Sequence, residues 1–369
     1  NGFLEGKEIL LLGEYHNINE ACGTCDKNCI EIVDLVTYVI YSLAPNMVDF
    51  YIENSYNPRA ANKFESPAGF PAESRLIKMH NLFRHLLDSK YPTTENLRMH
   101  AVDIRLSYSS EKGFSSNAFL TTYGQLYILG FNILMYDWSR LLSLTKVSGN
   151  KLKIIYKKDP KFFKYYEKEL RFYKKYLSDD DNIKIIRSVL TGSQDVFDLF
   201  KITKQKNKLV DNYQYDAVSK SDKKDFNNFM KKIQATIDNF FQHSEELVQY
   251  LIDVGKVLTS IDSITNVNIY LNTFIDVLWT KKLHTDKVDD HPYNKFIYLL
   301  SCHMDMYAIF RMLRLFNNNV QKNIIFYGGS FHTKNICDTL METGYFDLIV
   351  HRKKSEQHGY HDCQYLTKY

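Results

Sequence analysis

Two short apolar runs, one near each end of the chain, lead into a glycine that is followed by a histidine. The first run, residues 9–12, lies in a predicted strand at 8–12 and continues as Gly-Glu-Tyr-His at 13–16. The second run, residues 324–327, lies in a predicted strand at 323–327 and continues as Gly-Gly-Ser-Phe-His at 328–332. Because both runs are continuously apolar rather than alternating, each predicts a strand that is buried on both faces of a parallel sheet. We expect the two strands to lie side by side, with their histidines in one pocket.

Helical and strand patterns alternate at both ends of the chain. The predicted elements are helices at 29–43, 74–89 and 333–342, with Gly344 as a C-cap, and strands at 48–53, 97–104 and 346–350. A strand, a helix and a second strand joined by long connections favour a right-handed crossover, and therefore parallel pairing.

The middle of the chain has a different pattern. Residues 111–318 contain almost no strand signal and few glycines, and helical periodicity dominates. The sequence therefore predicts an α/β fold in which a mainly parallel sheet core is built from N- and C-terminal segments, with a large helical insertion. The expected division is a first half of the α/β core at 1–110, the helical insertion at 111–318, a second half of the core at 319–352 and a polar tail at 353–369.

Composition and charge exclude some partners. Hydrophobic residues make up 44% of the chain and charged residues 24%, as in an ordinary globular protein. The 47 basic and 43 acidic side chains give a net charge of +4, which is too balanced to indicate nucleic acid or an anionic membrane as a partner. No stretch predicts a signal peptide or a membrane span, and the cytoplasm is the expected compartment.

Polar side chains occur repeatedly where the predicted strands end. Glu14 and His16 follow the first strand, Glu53 ends the second, Asp103 and Arg105 end the third, and Ser330 and His332 follow the late strand. In open parallel sheets, ligands bind at the carboxyl ends of the strands. We therefore expect these side chains to converge on one pocket.

Each of these residue types suits a step of hydrolysis. A histidine beside a carboxylate can act as a general base toward water. Two histidines, His16 and His332, with Glu53 or Asp103 could instead hold a divalent metal. Arg105 or Arg311 could stabilise an oxyanion or fix a carboxylate or phosphate of a substrate. The alternatives are a histidine satisfied by backbone groups in a loop, an edge carboxylate at Glu53 and a helix-surface arginine at Arg311.

A cluster of three cysteines, Cys22, Cys25 and Cys29, follows the first strand. Their thiolates could bind zinc, with Cys302 or His303 as a distant fourth ligand. Alternatively, Cys22 and Cys29 could pair in an oxidising compartment, or all three could be free thiols buried beside the pocket. Six cysteines in 369 residues do not indicate a disulfide scaffold.

Over residues 7–105 and 320–351 the chain resembles the superfamily of the erythromycin esterases, the haem-binding ChaN-like lipoproteins and the TIKI/TraB proteins. The Gly-Glu-Tyr-His at 13–16 is similar to the Gly-x-x-His form of the TIKI/TraB and ChaN groups, and Glu53 matches a glutamate that ends the next strand. The segment at 328–332, followed by Asn335 and by Gly344-Tyr345, looks like the second Gly-x-x-His of TIKI/TraB proteins.

The resemblance implies an α/β core with helical insertions and a histidine/glutamate pocket. Members of the superfamily include hydrolases, metal-dependent peptidases and a haem binder. We expect a hydrolase of an ester or peptide that activates water directly or through manganese, cobalt or zinc, with haem a weaker expectation. The alternative is an inactive binding protein that retains the pocket. The expected site residues are His16, Glu14, Glu53, His332, Asp103, Arg105 and Arg311.

Overall fold

The computed structural model describes residues 4, 6–14, 32–53, 78–79, 81–82, 96–104, 177–214, 220–242, 244–260, 292–315, 322–352 and 361–367. The chain forms two compact units. The α/β unit comprises Asn1–Ser110, Phe197–Asp238 and Cys302–Tyr369, and the helical unit comprises Glu111–Val196 and Asn239–Ser301. The α/β unit thus takes in two stretches of the region that the sequence predicts as an insertion.

One six-stranded sheet forms the α/β unit. Its strands are β1 (Glu8–Glu14), β2 (Val48–Ile52), β3 (Leu97–Ala101), β4 (Asn323–Gly329), β5 (Asp347–Arg352) and β6 (His361–Thr367). Their spatial order is β3-β2-β4-β1-β6-β5, and β3, β2, β4 and β1 are parallel. The predicted α/β class with a mainly parallel sheet is confirmed. Strands β1 and β4 are direct neighbours, as the two apolar runs predict.

The last strand was not expected from the sequence. Residues 361–367, which the hydrophobic pattern assigns to a polar tail, form β6 between β1 and β5 and run antiparallel to both. Strand β4 also separates β1 from β2, so the first two strands are parallel without being paired to each other. Both differences arise from pairings between strands that lie far apart in the chain.

Eight helices are described along the chain. They are α1 (Ile32–Leu43), α2 (Asp180–Leu190), α3 (Gln194–Leu199), α4 (Ile202–Gln214), α5 (Lys220–Phe241), α6 (Ser244–Ser260), α7 (Pro292–Leu313) and α8 (Ser330–Glu342). Between β3 and β4 the described residues form helices and no strand. Within those described residues, no helix is both long enough and apolar enough to cross a membrane.

The two faces of the sheet carry different side chains because successive residues of a strand point to opposite sides. On one face, Val48, Phe50 and Ile52 of β2 form an apolar core with Val36 and Ile40 of α1. The intervening β2 residues Asp49 and Tyr51, and Glu53 just beyond the strand, belong to the other face. Polar groups on that face are buried and must find partners within the protein.

Helix α7 lies on this second face of the sheet. The hydroxyl of Tyr51 donates to the carbonyl of Arg311 at 3.2 Å, and Lys7 Nζ donates to the carbonyl of Met312 at 3.2 Å. Both carbonyls belong to the last turn of α7, where helix carbonyls have no partner within the helix. The last turn is thereby attached to β2 and to the residue that precedes β1, and earlier turns of α7 lie nearer the carboxyl ends of the strands, where Asp305 meets His332.

The helical unit has its own local contacts. Asp179 caps the start of α2, accepting at Oδ1 from the backbone amides of Asp181 and Asn182. Arg187 of α2 and Glu245 of α6 form an exposed ion pair with 3.5 Å between Nη1 and Oε2. An exposed pair at this distance contributes little stability.

Candidate functional site

Three ionisable side chains meet at the carboxyl edge of the sheet. His332 Nδ1 lies 2.6 Å from Asp305 Oδ1, and His332 Nε2 lies 3.3 Å from Glu53 Oε1. Asp305 is fully buried, and His332 and Glu53 are 6% and 7% exposed. One imidazole therefore bridges a carboxylate of α7 and a carboxylate that follows β2. We call Asp305, His332 and Glu53 the edge triad.

Two backbone hydrogen bonds at the end of β4 hold Glu53 in place. Its backbone amide donates to the carbonyl of Tyr327 at 3.0 Å, which extends the pairing of β2 with β4 by one residue. Its Oε2 accepts from the backbone amide of Gly329 at 2.7 Å. A Cβ at Gly328 would lie 3.1 Å from that same oxygen. A larger residue at 328 would therefore crowd the carboxylate.

Asp305 uses both carboxyl oxygens. Oδ1 faces His332, and Oδ2 accepts from Asn335 Nδ2 at 2.9 Å. His332 and Asn335 lie three residues apart on α8, so one face of that helix presents both side chains to the carboxyl group. This arrangement fixes the orientation of Asp305, and through it the orientation of the imidazole.

The first turn of α8 needs a glycine in the neighbouring strand. A Cβ at Gly13 would lie 2.9 Å from the Cα of Ser330 and 3.1 Å from the side chain of Thr333. Thr333 in turn donates from Oγ1 to the carbonyl of Gly329 at 3.1 Å. Gly13 thus allows α8 to start directly against β1, which brings His332 to the sheet edge.

Burial and charge affect the protonation of the edge triad in opposite ways. Burial tends to lower the pKa of His332, but the negative charges of Glu53 and Asp305 outweigh it and raise that pKa to about 9. For Asp305 the effect of burial has the opposite sign, because it raises the pKa of the carboxyl group. The charge and hydrogen bond of His332 oppose this increase only in part. His332 and Asp305 therefore retain their protons to higher pH than isolated groups would, and His332 is an imidazolium at neutral pH.

A second polar cluster, in which Asp49 and His100 are buried, lies beside the middle of β2. Asp49 receives two hydrogen bonds from Arg98, at 2.8 and 2.6 Å, and lies 2.8 Å from His100 Nε2. The other ring nitrogen of His100 lies 3.3 Å from Nη2 of Arg311. The ring of Tyr51 stacks on His100 with 4.4 Å between centroids. We call Asp49, Arg98, His100 and Arg311 the strand cluster.

The strand cluster fixes the tautomer of its histidine. A guanidinium nitrogen can only donate, so His100 Nδ1 must accept from Arg311 and Nε2–H must donate to Asp49. Burial lowers the pKa of His100 to about 4; the bond to Asp49 opposes this shift and the charge of Arg311 adds to it. His100 is therefore neutral at pH 7.

The structure brings together two of the residues expected from the sequence, Glu53 and His332. Arg311 lies in the strand cluster, where Nη1 donates to the hydroxyl of Tyr307 at 2.6 Å. Asp103 is half-buried just beyond β3, an edge strand of the sheet. Glu14 is the last residue of β1 and pairs in register with Gly329.

The remaining sequence-based candidates lie outside the described residues: His16, Arg105, Cys22, Cys25 and Cys29. The two proposed distant zinc ligands are described. Cys302 is a buried free thiol, and the ring of the buried His303 lies 6.0 and 5.4 Å from the rings of Phe197 and Phe200. Across the described ranges, no group of three His, Cys, Asp or Glu residues is placed to hold a metal ion.

Sequence reasoning missed Asp305, Asn335, Asp49 and His100. A pattern in the sequence could have pointed to Asp305, because it is the only carboxylate in a largely apolar stretch of α7, residues 299–310, all of which are buried. A helix that is apolar on every side is buried, and a charge within it needs a partner. Asp49 had a similar signal, since it interrupts the apolar run of β2. Neither pattern identifies the partner.

Comparisons with known proteins provide no relative. No protein-family model, curated protein or solved structure matches the chain. The resemblance to the erythromycin esterase, ChaN-like and TIKI/TraB superfamily therefore stays an expectation from the sequence.

Proposed function

We propose that the chain is a hydrolase whose reaction centre is the edge triad. The observation that supports this proposal is a nearly buried imidazole held between two carboxyl groups at the carboxyl edge of a parallel sheet. Paired acid and base groups whose pKa values are moved apart by their surroundings are typical of active sites. Esters and peptides are the substrate classes that the sequence resemblance suggests.

In this proposal His332 is the general acid. With a pKa of about 9, it carries the proton at neutral pH that a leaving alkoxide or amine requires. Asp305 accepts from Nδ1–H and stabilises the ring charge, while Asn335 keeps the carboxyl group aligned. The proton that is donated comes from Nε2, the nitrogen that faces Glu53.

Glu53 is the general base. Its Oε2 is held by the amide of Gly329, while Oε1 faces Nε2 at 3.3 Å, which is longer than a usual N–H···O bond. A substrate that takes the Nε2 proton leaves Oε1 to accept a proton from the attacking water. Water then loses one proton to Glu53, the leaving group gains one from His332, and transfer from Glu53 to His332 restores the starting state.

A divalent metal fits part of the same site. His332 Nε2 and Glu53 Oε1, which lie 3.3 Å apart, are ligand atoms of the kinds that zinc takes in proteins. These two residues would hold the ion, with His16 as the third ligand expected from the sequence. When bound, a divalent metal supplies Lewis acidity and lowers the pKa of its water. Asp305 would then orient His332 through Nδ1.

The proposal is tested by hydrolysis of p-nitrophenyl acetate and of a peptide p-nitroanilide, each with EDTA or with added Mn²⁺, Co²⁺ or Zn²⁺. Substitution of an acid/base residue typically costs about 10²–10⁴-fold in rate, and we expect losses in that range for His332→Asn and Glu53→Gln. His332→Asn keeps a donor near Asp305, so the fold should survive. Asp338→Asn, on the exposed side of α8, is the matched control and should retain full activity.

Two further measurements complete the test. Elemental analysis of the purified protein distinguishes a metal-dependent site, with stoichiometric Mn, Co or Zn, from a metal-free one. Full turnover in both His16→Asn and His332→Asn, or no hydrolysis by the wild type under any of these conditions, would contradict the proposal.

A second candidate is a binding protein in which the edge triad is only structural. The observation that favours it is that both ring nitrogens of His332 already face carboxyl groups, which joins α7, α8 and the end of β2. In that case the wild type would turn over neither substrate, and His332→Asn would change only the stability of the protein.

A further inference from the structure

The last turn of α7 and the facing side of α4 bring several cations together in the α/β unit. Arg311 and Arg314 come from the end of α7, and Lys204 and Lys208 come from α4. We infer that this junction is a binding site for a phosphate group. The site is separate from the proposed reaction centre, because Arg311 follows Asp305 by six residues, about 9 Å along the helix.

Three hydrogen bonds define the junction. Arg314 Nη1 donates to Gln205 Oε1 at 2.9 Å, the amide of Leu315 donates to Asn212 Oδ1 at 3.0 Å, and the hydroxyl of Tyr213 donates to the carbonyl of Leu313 at 3.3 Å. The end of α7 therefore lies along α4 from Gln205 to Asn212. This stretch of α4 contains no acidic residue before Asp211.

The two lysines border the same stretch. Lys204 precedes Gln205, and Lys208 lies three residues after Gln205 and four before Asn212, so helical spacing places Lys208 on the side of α4 that meets α7. Both lysines are exposed and can move toward a ligand. In contrast, Lys206 points elsewhere and donates to Gln234 at 2.7 Å.

The cations at the junction act on one another. Burial and the charge of Arg311 lower the pKa of Arg314, while Asp49, which acts in the opposite direction, also accepts from Arg98 and lies beside His100. Burial and the like charges of Arg314, Lys204 and Arg311 lower the pKa of Lys208. Like charges held this close repel one another, and a bound anion would relieve the repulsion.

The negative end of the α7 dipole does not account for these cations. Its last carbonyls already accept from Lys7, Tyr51 and Tyr213. Arg311 donates from Nη1 to Tyr307 and faces His100 through Nη2, and its buried Nε has no hydrogen-bond partner among the residues that the structure describes. A guanidinium held in this way, with exposed lysines nearby, can donate charge-assisted hydrogen bonds to the oxygens of a phosphate.

Isothermal titration of the full chain with sodium phosphate, at constant ionic strength, tests the inference. We expect saturable binding in the wild type and binding weaker by about tenfold in Lys204→Met and in Lys208→Met, since each removes one charge-assisted contact. Lys224→Met, an exposed lysine of α5 in the same unit, is the control and should bind as the wild type does.

A second arm uses AMP, whose phosphate is an ester. Tighter binding of AMP than of inorganic phosphate, lost in Lys208→Met, would assign the site to a phosphorylated small molecule, and tighter binding of inorganic phosphate would assign it to the free ion. Without ligand, Lys208→Met should unfold at a temperature no lower than the wild type, because a repelling charge is removed. Absence of saturable binding of both ligands, or equal weakening in Lys224→Met, would overturn the inference.

Discussion

His100 and His332 are both buried in the α/β unit, and each lies within hydrogen-bonding distance of an aspartate. The two histidines differ in the group that faces the other ring nitrogen, the one that does not face the aspartate. In His332 it faces the carboxyl group of Glu53, and in His100 it faces the guanidinium of Arg311. His332 is an imidazolium with a pKa of about 9, whereas His100 is neutral with a pKa of about 4.

This difference shows that an aspartate–histidine pair does not by itself define a catalytic acid. Carboxyl groups on both sides outweigh burial and keep a proton on the ring of His332, whereas burial, reinforced by the charge of Arg311, leaves His100 neutral, and Arg311 fixes its tautomer. The edge triad can therefore take part in proton transfer at neutral pH. The strand cluster instead joins the end of α7 to the sheet through the contact of Arg311 with His100.

The largest expected effect comes from removing the shared carboxyl group of the edge triad. Asp305→Ala leaves His332 with one partner and Asn335 with none at that position. Breaking a buried ion pair by removing one partner costs about 3–5 kcal/mol, and we expect a loss of that size in the free energy of unfolding at pH 7, measured with urea. Asp338→Ala removes an exposed carboxylate from α8 and should cost less than about 0.5 kcal/mol. Equal losses in the two variants would contradict the assigned role of Asp305.

The next effect concerns alkaline pH. The folded pKa of His332 lies above its unfolded value of 6.5, so its stabilisation is complete below pH 6.5 and is lost as the pH rises to about 9. A shift of this size corresponds to roughly 3 kcal/mol. We expect the wild-type free energy of unfolding to fall over this range and His332→Asn to flatten the fall. A fall of the same slope in the variant would assign it to another group.

The strand cluster should respond in the opposite direction. The folded pKa of His100 lies below 6.5, so the unfolded chain binds the extra proton first and stability is lost as the pH falls from 6.5 to about 4. His100→Gln keeps a donor near Asp49 and cannot be protonated. We expect it to flatten the acid side of the stability curve by roughly 3 kcal/mol while leaving the alkaline side unchanged. Flattening of both sides would show that the two histidines are coupled.

Local hydrophobic pattern was sufficient to predict the parallel strands and two members of the edge triad, Glu53 and His332. The apolar runs of β1, β2 and β4 identified the sheet, and the glycines near the ends of β1 and β4 pointed to the edge where the candidate site lies. The partner of His332 on α7 could not be predicted, because Asp305 lies 27 residues away and meets the imidazole only through packing of two helices. Strand β6 was missed because its sequence is polar and it forms a strand by pairing with β1, which lies far away in the chain.

The smallest effect tests how closely β1 must approach α8. Gly13→Ala would place a Cβ 2.9 Å from the Cα of Ser330, so backbone rather than a flexible side chain must move. Overpacking of this kind costs about 1–3 kcal/mol, measured as the free energy of unfolding. Because α8 must shift, His332 should move relative to Glu53, and the pKa of its imidazole, followed by NMR, should fall from about 9 toward 6.5. Adding Thr333→Ser should not restore that pKa, because the closest contact is with the backbone of Ser330; the pKa of His100 should stay near 4 in both variants. An unchanged pKa of His332 in Gly13→Ala would mean that the edge triad does not depend on the position of α8.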